Sequence, residues 1–139
     1  WPHLLKHQVN ATVGDTLRPR WESDPLPVSP ENVDIIRRGM ELVVESGTAR
    51  IAQIDSFSVA GKTGTAQNPR GDDHSVFIGY APVDDPEIAV GILVENAGYG
   101  STAAAPIASL MMEQYLKGRV DRIGLIQVVM NRRSGRDRG

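Results

Sequence analysis

The sequence predicts an α+β fold, an antiparallel sheet meander of about three main strands flanked by helices. Three observations carry that prediction. Apolar residues recur at helical spacing between residues 30 and 46. The period drops to two between residues 57 and 95, where turn-forming clusters divide the chain twice. A second helical stripe follows at 104–118, after a glycine-rich loop.

The first 28 residues read as irregular or short extended pieces, punctuated by Pro2, Gly14, Pro19, Pro25 and Pro27. Val9, Ala11 and Val13 alternate with polar neighbours, which suggests one short strand. Helix formation begins at Ser29-Pro30-Glu31: serine caps, proline suits the first helical position, and the glutamate complements the positive end of the helix dipole. Val33, Ile36, Met40, Val43 and Val44 then form an apolar stripe, and Gly47 is expected to stop the helix in the left-handed conformation.

Strand-like alternation runs from Phe57 to Ala66. The segment Asn68-Pro69-Arg70-Gly71-Asp72-Asp73 has turn chemistry, and a second strand is expected at 75–81. Pro82-Val83-Asp84-Asp85-Pro86 makes another turn before a third strand at 88–95. Short turns between consecutive strands imply antiparallel pairing. The third strand is apolar at nearly every position, so both of its faces are expected to be covered. Ser101 or Thr102 can cap the next helix, with Pro106 in its first turn. Ile107, Leu110, Met111 and Tyr115 mark its apolar face, and Gly118 ends it. From Lys117 onward the chain carries one lysine and six arginines against Asp121 and Asp137. The expected organisation is a folded portion over 1–118 and a basic tail over 119–139, partly disordered. Residues 123–130 have the makings of a short strand or helical turn, and 131–139 have almost nothing to bury.

Composition sets outer limits. With 139 residues, 40% of them apolar, the chain is one ordinary domain with a modest core. Its net charge of −2 gives no basic footprint for a nucleic-acid partner. It has no cysteine, so disulfides and thiolate metal sites are excluded. The longest central apolar run, 88–94, is far short of the roughly 20 residues that span a bilayer. Neither a metal nor a cofactor is expected: His3 and His7 are four apart beside Pro2 in a stretch without helical pattern, and His74 reads as a rim residue. The Asp84-Asp85 pair sits between prolines in a turn, where solvation is the default.

The chemistry concentrates in Val59-Ala60-Gly61-Lys62-Thr63-Gly64-Thr65-Ala66-Gln67. Its Gly61-Lys62-Thr63 matches the end of the phosphate-binding loop G-x-x-x-x-G-K-[ST]. The first glycine of that motif falls on Ser56, however, and Gly64, Pro69 and Gly71 follow where a phosphate-binding helix must begin. The other reading is a K-T-G strand bordering a cleft. An edge strand offers unpaired backbone groups to an extended peptide. Gly61 and Gly64 are expected to leave room for a ligand backbone. Alternation puts the hydroxyls of Thr63 and Thr65 on one side of the strand, where they can hold a terminal carboxylate, and Lys62 supplies an attracting cation. Strict alternation sends Lys62 to the other face, so it shares the cleft with the threonines only if the strand twists or lies at an edge.

With its surroundings, this segment resembles the third-motif strand of class B penicillin-binding proteins. Phe77-Ile78-Gly79-Tyr80-Ala81-Pro82 is similar to the next strand of that family. Residues 86–96, ending Val94-Glu95-Asn96, are similar to the one after it. The glycine-rich loop and the helix with Pro106 resemble the closing helix, and Pro2-His3-Leu4 with Gly47-Thr48-Ala49 match the region before the motif. The resemblance covers about residues 1–118 and is nearest to the elongation-type peptidoglycan D,D-transpeptidase.

It implies catalytic roles for Lys62 and Thr65, and substrate binding by Thr63, Gly64 and Thr65, to which Tyr99, the one aromatic of the glycine-rich loop, is added as a candidate contact. The implied partners are the D-Ala-D-Ala stem peptide and β-lactams, on the extracytoplasmic side of the bacterial inner membrane, with any anchor outside this chain. The family also needs a serine nucleophile in S-x-x-K and a middle S-x-N. Neither occurs in the 139 residues. The chain alone is therefore expected to be inactive, to need an amino-terminal part of the transpeptidase, and to expose sheet surface open to self-association. The alternative from a different class is a non-catalytic lobe that offers the same edge strand to a peptide or partner.

Overall fold

The computed structural model describes residues 8–9, 12–14, 16–17, 25 and 27–134. Expectations that fall on Pro2, His3, His7, Ala11 and 135–139 lie outside the described residues. The element order is β1 (Gln8–Val9), β2 (Thr16–Leu17), α1 (Pro30–Glu45), β3 (Ala60–Ala66), β4 (His74–Ala81), β5 (Ile88–Val94), α2 (Ala104–Lys117) and α3 (Ile123–Ser134), with a 3-10 turn at Arg50–Ala52. β1 and β2 pair as a small antiparallel ladder. The main sheet is the expected antiparallel meander in the order β3-β4-β5, and the architecture is α+β.

α1 starts as its sequence dictates: the Ser29 hydroxyl accepts the Asn32 N–H, and Pro30 occupies the first turn. Its end differs from expectation. Among the described residues the left-handed glycines are Gly14, Gly98 and Gly118, not Gly47. Space selects glycine at 47 instead, because a Cβ there would sit 2.8 Å from Val43 Cα. The stripe is also shallower than its pattern suggests: Val44 is buried and Val43 packs beside it, while Ile36 is exposed.

The core gathers on one face of the sheet around Phe77 at the centre of β4, with Val44, Ala49, Ala52, Ile54, Val59, Ala104, Ala105, Ala108 and Met112. Gly61 and Gly79, opposite one another on β3 and β4, seat the Phe77 ring. A Cβ on Gly61 would fall 2.8 Å from Phe77 Cε2, and one on Gly79 would fall 2.7 Å from Cε1. Gly61 therefore serves packing and faces the core, not a ligand. β5 also departs from expectation. Ile88, Val90, Ile92 and Val94 pack on the core, but Ala89, Gly91 and the 59% exposed Leu93 face outward with Ile78 of β4. A continuous apolar run here has only one covered face.

α2 buries Ala104, Ala105, Ala108 and Met112, whereas Met111 and Tyr115 of the expected stripe are exposed. Alanines let the helix approach the sheet closely, which larger side chains would prevent. Its cap is not local. The Ala104 N–H donates to Ser75 Oγ of β4 at 3.0 Å, while Thr102 Oγ1 donates to Tyr99 O. Gly118 closes the helix in the left-handed conformation as expected.

Beyond Gly118 the chain is not simply solvated. Arg122 lays its Nε 2.8 Å from Glu113 Oε2, and its other nitrogens donate to Gln53 O and Ser109 O. Lys117 and the Asp121 N–H reach the other oxygen of Glu113. Burial pushes the Glu113 carboxyl up, but Arg122, the Asp121 N–H and Lys117 together hold it below the usual carboxylate range. This cluster fastens the start of α3 to α2 and the 3-10 turn.

Candidate functional site

Among the described residues β3 pairs only with β4, so its other edge is open. The register fixes which way its residues face. Thr63 lies opposite Phe77 and Thr65 opposite Ser75, so both threonines share the face that carries the core, at the end of the strand where the core gives way to the surface. Lys62 lies opposite Ile78 on the other face. The edge position resolves the geometry: Lys62 Nζ curls round the open side of the strand and donates to Thr63 O at 2.7 Å. Lysine and threonine thus meet at one edge although their side chains leave from opposite faces.

Thr63 is half-buried, and its Oγ1 is 2.9 Å from Thr48 Oγ1 on the turn after α1. Thr65 is exposed. Gly64 lies next to Val76, where a Cβ would come within 3.3 Å of Val76 Cβ. The glycine-rich loop crosses beside this position. A Cβ on Gly100 would fall 2.6 Å from Gly64 O, so only glycine lets the loop lie on the strand backbone. Ser75, buried and paired with Thr65, donates its hydroxyl to Tyr99 O at 2.9 Å. Tyr99 itself is 70% exposed, on the loop whose carbonyl Ser75 holds.

The same end of the sheet is cross-braced. Asn68 Nδ2 donates to Asn96 Oδ1, and the Ala97 and Gly98 N–H groups donate to Asp73 O. The Asn96 N–H donates to His74 Nδ1 at 3.0 Å, so His74 holds the loop at the rim. Asp84 and Asp85 are exposed in their turn. The structure therefore brings together Lys62, Thr63, Gly64, Thr65 and the loop of Tyr99. It also reveals two residues the sequence did not single out, Thr48 and Ser75. Nothing in their spacing marks them, because both act across the fold.

The penicillin binding protein transpeptidase domain family matches residues 2–113. This chain belongs to that family. Its relatives of the MrdA/PBP2 kind place it among class B penicillin-binding proteins. It is 38% identical over 146 residues to the peptidoglycan D,D-transpeptidase MrdA of Haemophilus influenzae, covering 88% of this chain and 22% of that protein. Among solved structures, Pseudomonas aeruginosa PBP2 in complex with WCK 5153 superposes with a TM-score of 0.61 at 38% identity, covering 76% of this chain and 25% of the other. The penicillin G acyl-enzyme complex of penicillin-binding protein A from M. tuberculosis superposes at 0.52 and 32% identity, covering 64% and 21%. The penicillin-binding protein chain described here thus spans about a fifth of the length of the curated relative.

Proposed function

We propose that this chain is the K-T-G-bearing part of a D,D-transpeptidase that cross-links peptidoglycan through a serine acyl-enzyme. The observation that carries the reading is the open edge of β3, with two threonine hydroxyls on one face and a lysine ammonium folded round the same edge. An extended stem peptide adds to that edge through its backbone. Thr63 and Thr65 donate their hydroxyls to the terminal carboxylate of D-Ala-D-Ala or of a β-lactam, and Lys62 supplies positive charge and assists proton transfer. Tyr99 stands beside the same position as a substrate contact. The Thr65 N–H is one of two oxyanion donors, each worth about 3 kcal/mol of transition-state stabilisation in other enzymes.

The chemistry is acyl transfer. A serine hydroxyl attacks the carbonyl of the penultimate D-Ala, its proton passes to the departing terminal D-Ala, and an ester forms. An amine from a second stem strand then attacks the ester and regenerates the serine. The sequence holds neither S-x-x-K nor S-x-N, so the nucleophile comes from outside these 139 residues. Residues 1–118 supply the transpeptidase portion and 119–139 an appended basic segment. The reaction takes place on the extracytoplasmic side of the bacterial inner membrane. Among the described residues no helix is long and apolar enough to cross a membrane.

The test is the double variant Thr63→Val, Thr65→Val in the complete enzyme, assayed by penicillin acylation. Loss of carboxylate recognition is expected to slow acylation by about 100-fold, as two charge-assisted hydrogen bonds of roughly 1.5 kcal/mol each imply. Unchanged acylation would refute the clamp and favour a lobe that binds partners through the backbone edge alone.

A further inference from the structure

We infer that Thr48 is a positioning residue, which orients the Thr63 hydroxyl so that its proton points at the substrate carboxylate. The inference rests on the carboxylate clamp proposed above. Its geometric basis is the 2.9 Å contact between Thr48 Oγ1 and Thr63 Oγ1. Two hydroxyls in contact share one hydrogen bond, and either can be its donor. If Thr63 donates to Thr48, its only proton is spent. If Thr48 donates to Thr63, the Thr63 proton is free to bind an anion. A carboxylate in front of Thr63 selects the second arrangement, giving a chain from Thr48 through Thr63 to the carboxylate in which each bond polarises the next.

Thr48 is held in place to do this. The Ser46 and Gly47 N–H groups both donate to Leu42 O, and the Ala49 N–H donates to Val43 O, so backbone bonds on both sides of Thr48 hold the turn after α1. Gly47 closes against the Val43 backbone with no room for a Cβ, and Ala49 is wholly buried. Thr48 is itself exposed, so its hydroxyl has no role in filling the core. Lys62 Nζ meanwhile takes the Thr63 carbonyl, leaving the Thr63 hydroxyl to Thr48 alone among the hydrogen bonds formed here. The arrangement predicts that Thr48 matters for ligands that carry the carboxylate and is indifferent for those that do not.

The experiment compares acylation rate constants of the complete enzyme with penicillin G and with penicillin G methyl ester, whose carboxylate is blocked. Thr48→Val is expected to slow penicillin G by about five- to tenfold and leave the ester unchanged, as loss of one neutral hydrogen bond implies. Thr48→Ser keeps the hydroxyl and restores the rate. Thr48→Ala repeats the comparison without a branched side chain, and melting curves of all three variants check the fold. In the background of Thr63→Val, Thr48→Val should add nothing. Equal slowing of both ligands, or no slowing of either, overturns the inference. A Thr63→Val enzyme that still prefers penicillin G to its ester as strongly as wild type instead overturns the clamp on which the inference rests. The two failures are therefore read from different variants.

Discussion

Replacing Glu113 by Gln tests the strongest electrostatic feature of the fold. Glu113 is 1% exposed and accepts from Arg122, Lys117 and the Asp121 N–H. Removing one partner of a buried pair costs roughly 3–5 kcal/mol because the other charge is left uncompensated. Here Arg122 keeps 20% of its side chain in water and retains Gln53 O and Ser109 O, so about 2–3 kcal/mol is expected at neutral pH. For a chain of this size that lowers the melting temperature by roughly 6–12 °C.

The penalty must also depend on pH in one direction. The folded Glu113 carboxyl lies below its ordinary value, so its unfolded form takes up protons first as the solution is acidified. Its stabilisation is fully present above the unfolded value of about 4.3 and is lost as pH falls through the folded value. Urea unfolding of wild type and Glu113→Gln, followed by circular dichroism between pH 7 and pH 3, measures this. The gap between the two proteins should be widest at neutral pH and shrink steadily once below about pH 4. A gap that is absent at pH 7, or constant across the range, would refute the reasoning.

Other expectations follow from packing. Gly61→Ala drives a methyl group into the Phe77 ring and should destabilise by about 1–3 kcal/mol in chemical denaturation, with Phe77→Leu in the same chain recovering part of the loss. Ser75→Ala removes both the α2 cap and the anchor of Tyr99 O. A loss of about 1–2 kcal/mol is expected, with faster amide exchange confined first to the loop at 96–103 and the first turn of α2. The outward sheet face with Ile78 and Leu93 predicts self-association of the isolated chain. Light scattering should show mass rising with concentration, and Leu93→Lys should reduce it; a strict monomer at high concentration would contradict this reading.

The meander, its turns and its two principal helices were legible from period and punctuation, because those signals depend on residues within a few positions of one another. The capping of α1 by Ser29 is of that kind, as is the left-handed Gly118. So is the K-T-G strand, although its meaning came from resemblance over most of the chain, since three letters carry little alone. The misreadings share a cause. Gly61 was expected to leave room for a ligand but is glycine because the Phe77 ring presses on it across the sheet, and no local pattern reports that pressure. The α2 stripe looked larger on Met111 and Tyr115 than on its alanines, because a pattern of apolar size favours bulky residues while close helix-sheet packing favours small ones.

By itself, then, the sequence determined the order and type of the elements from α1 to α2, though not the β1–β2 pair or the length of α3, together with the absence of cysteine chemistry, the lack of an internal S-x-x-K, and the placement of Lys62, Thr63 and Thr65 on one strand. Only the tertiary structure decided that this strand lies at an edge, that Lys62 reaches round it to Thr63 O, that Thr48 meets the Thr63 hydroxyl, and that Arg122 is spent on Glu113. The physical reason is range. Periodicity and capping are set by the geometry of neighbouring peptide units, whereas a hydroxyl 15 residues away or a carbonyl 69 residues away becomes a partner only after the core has brought the segments together.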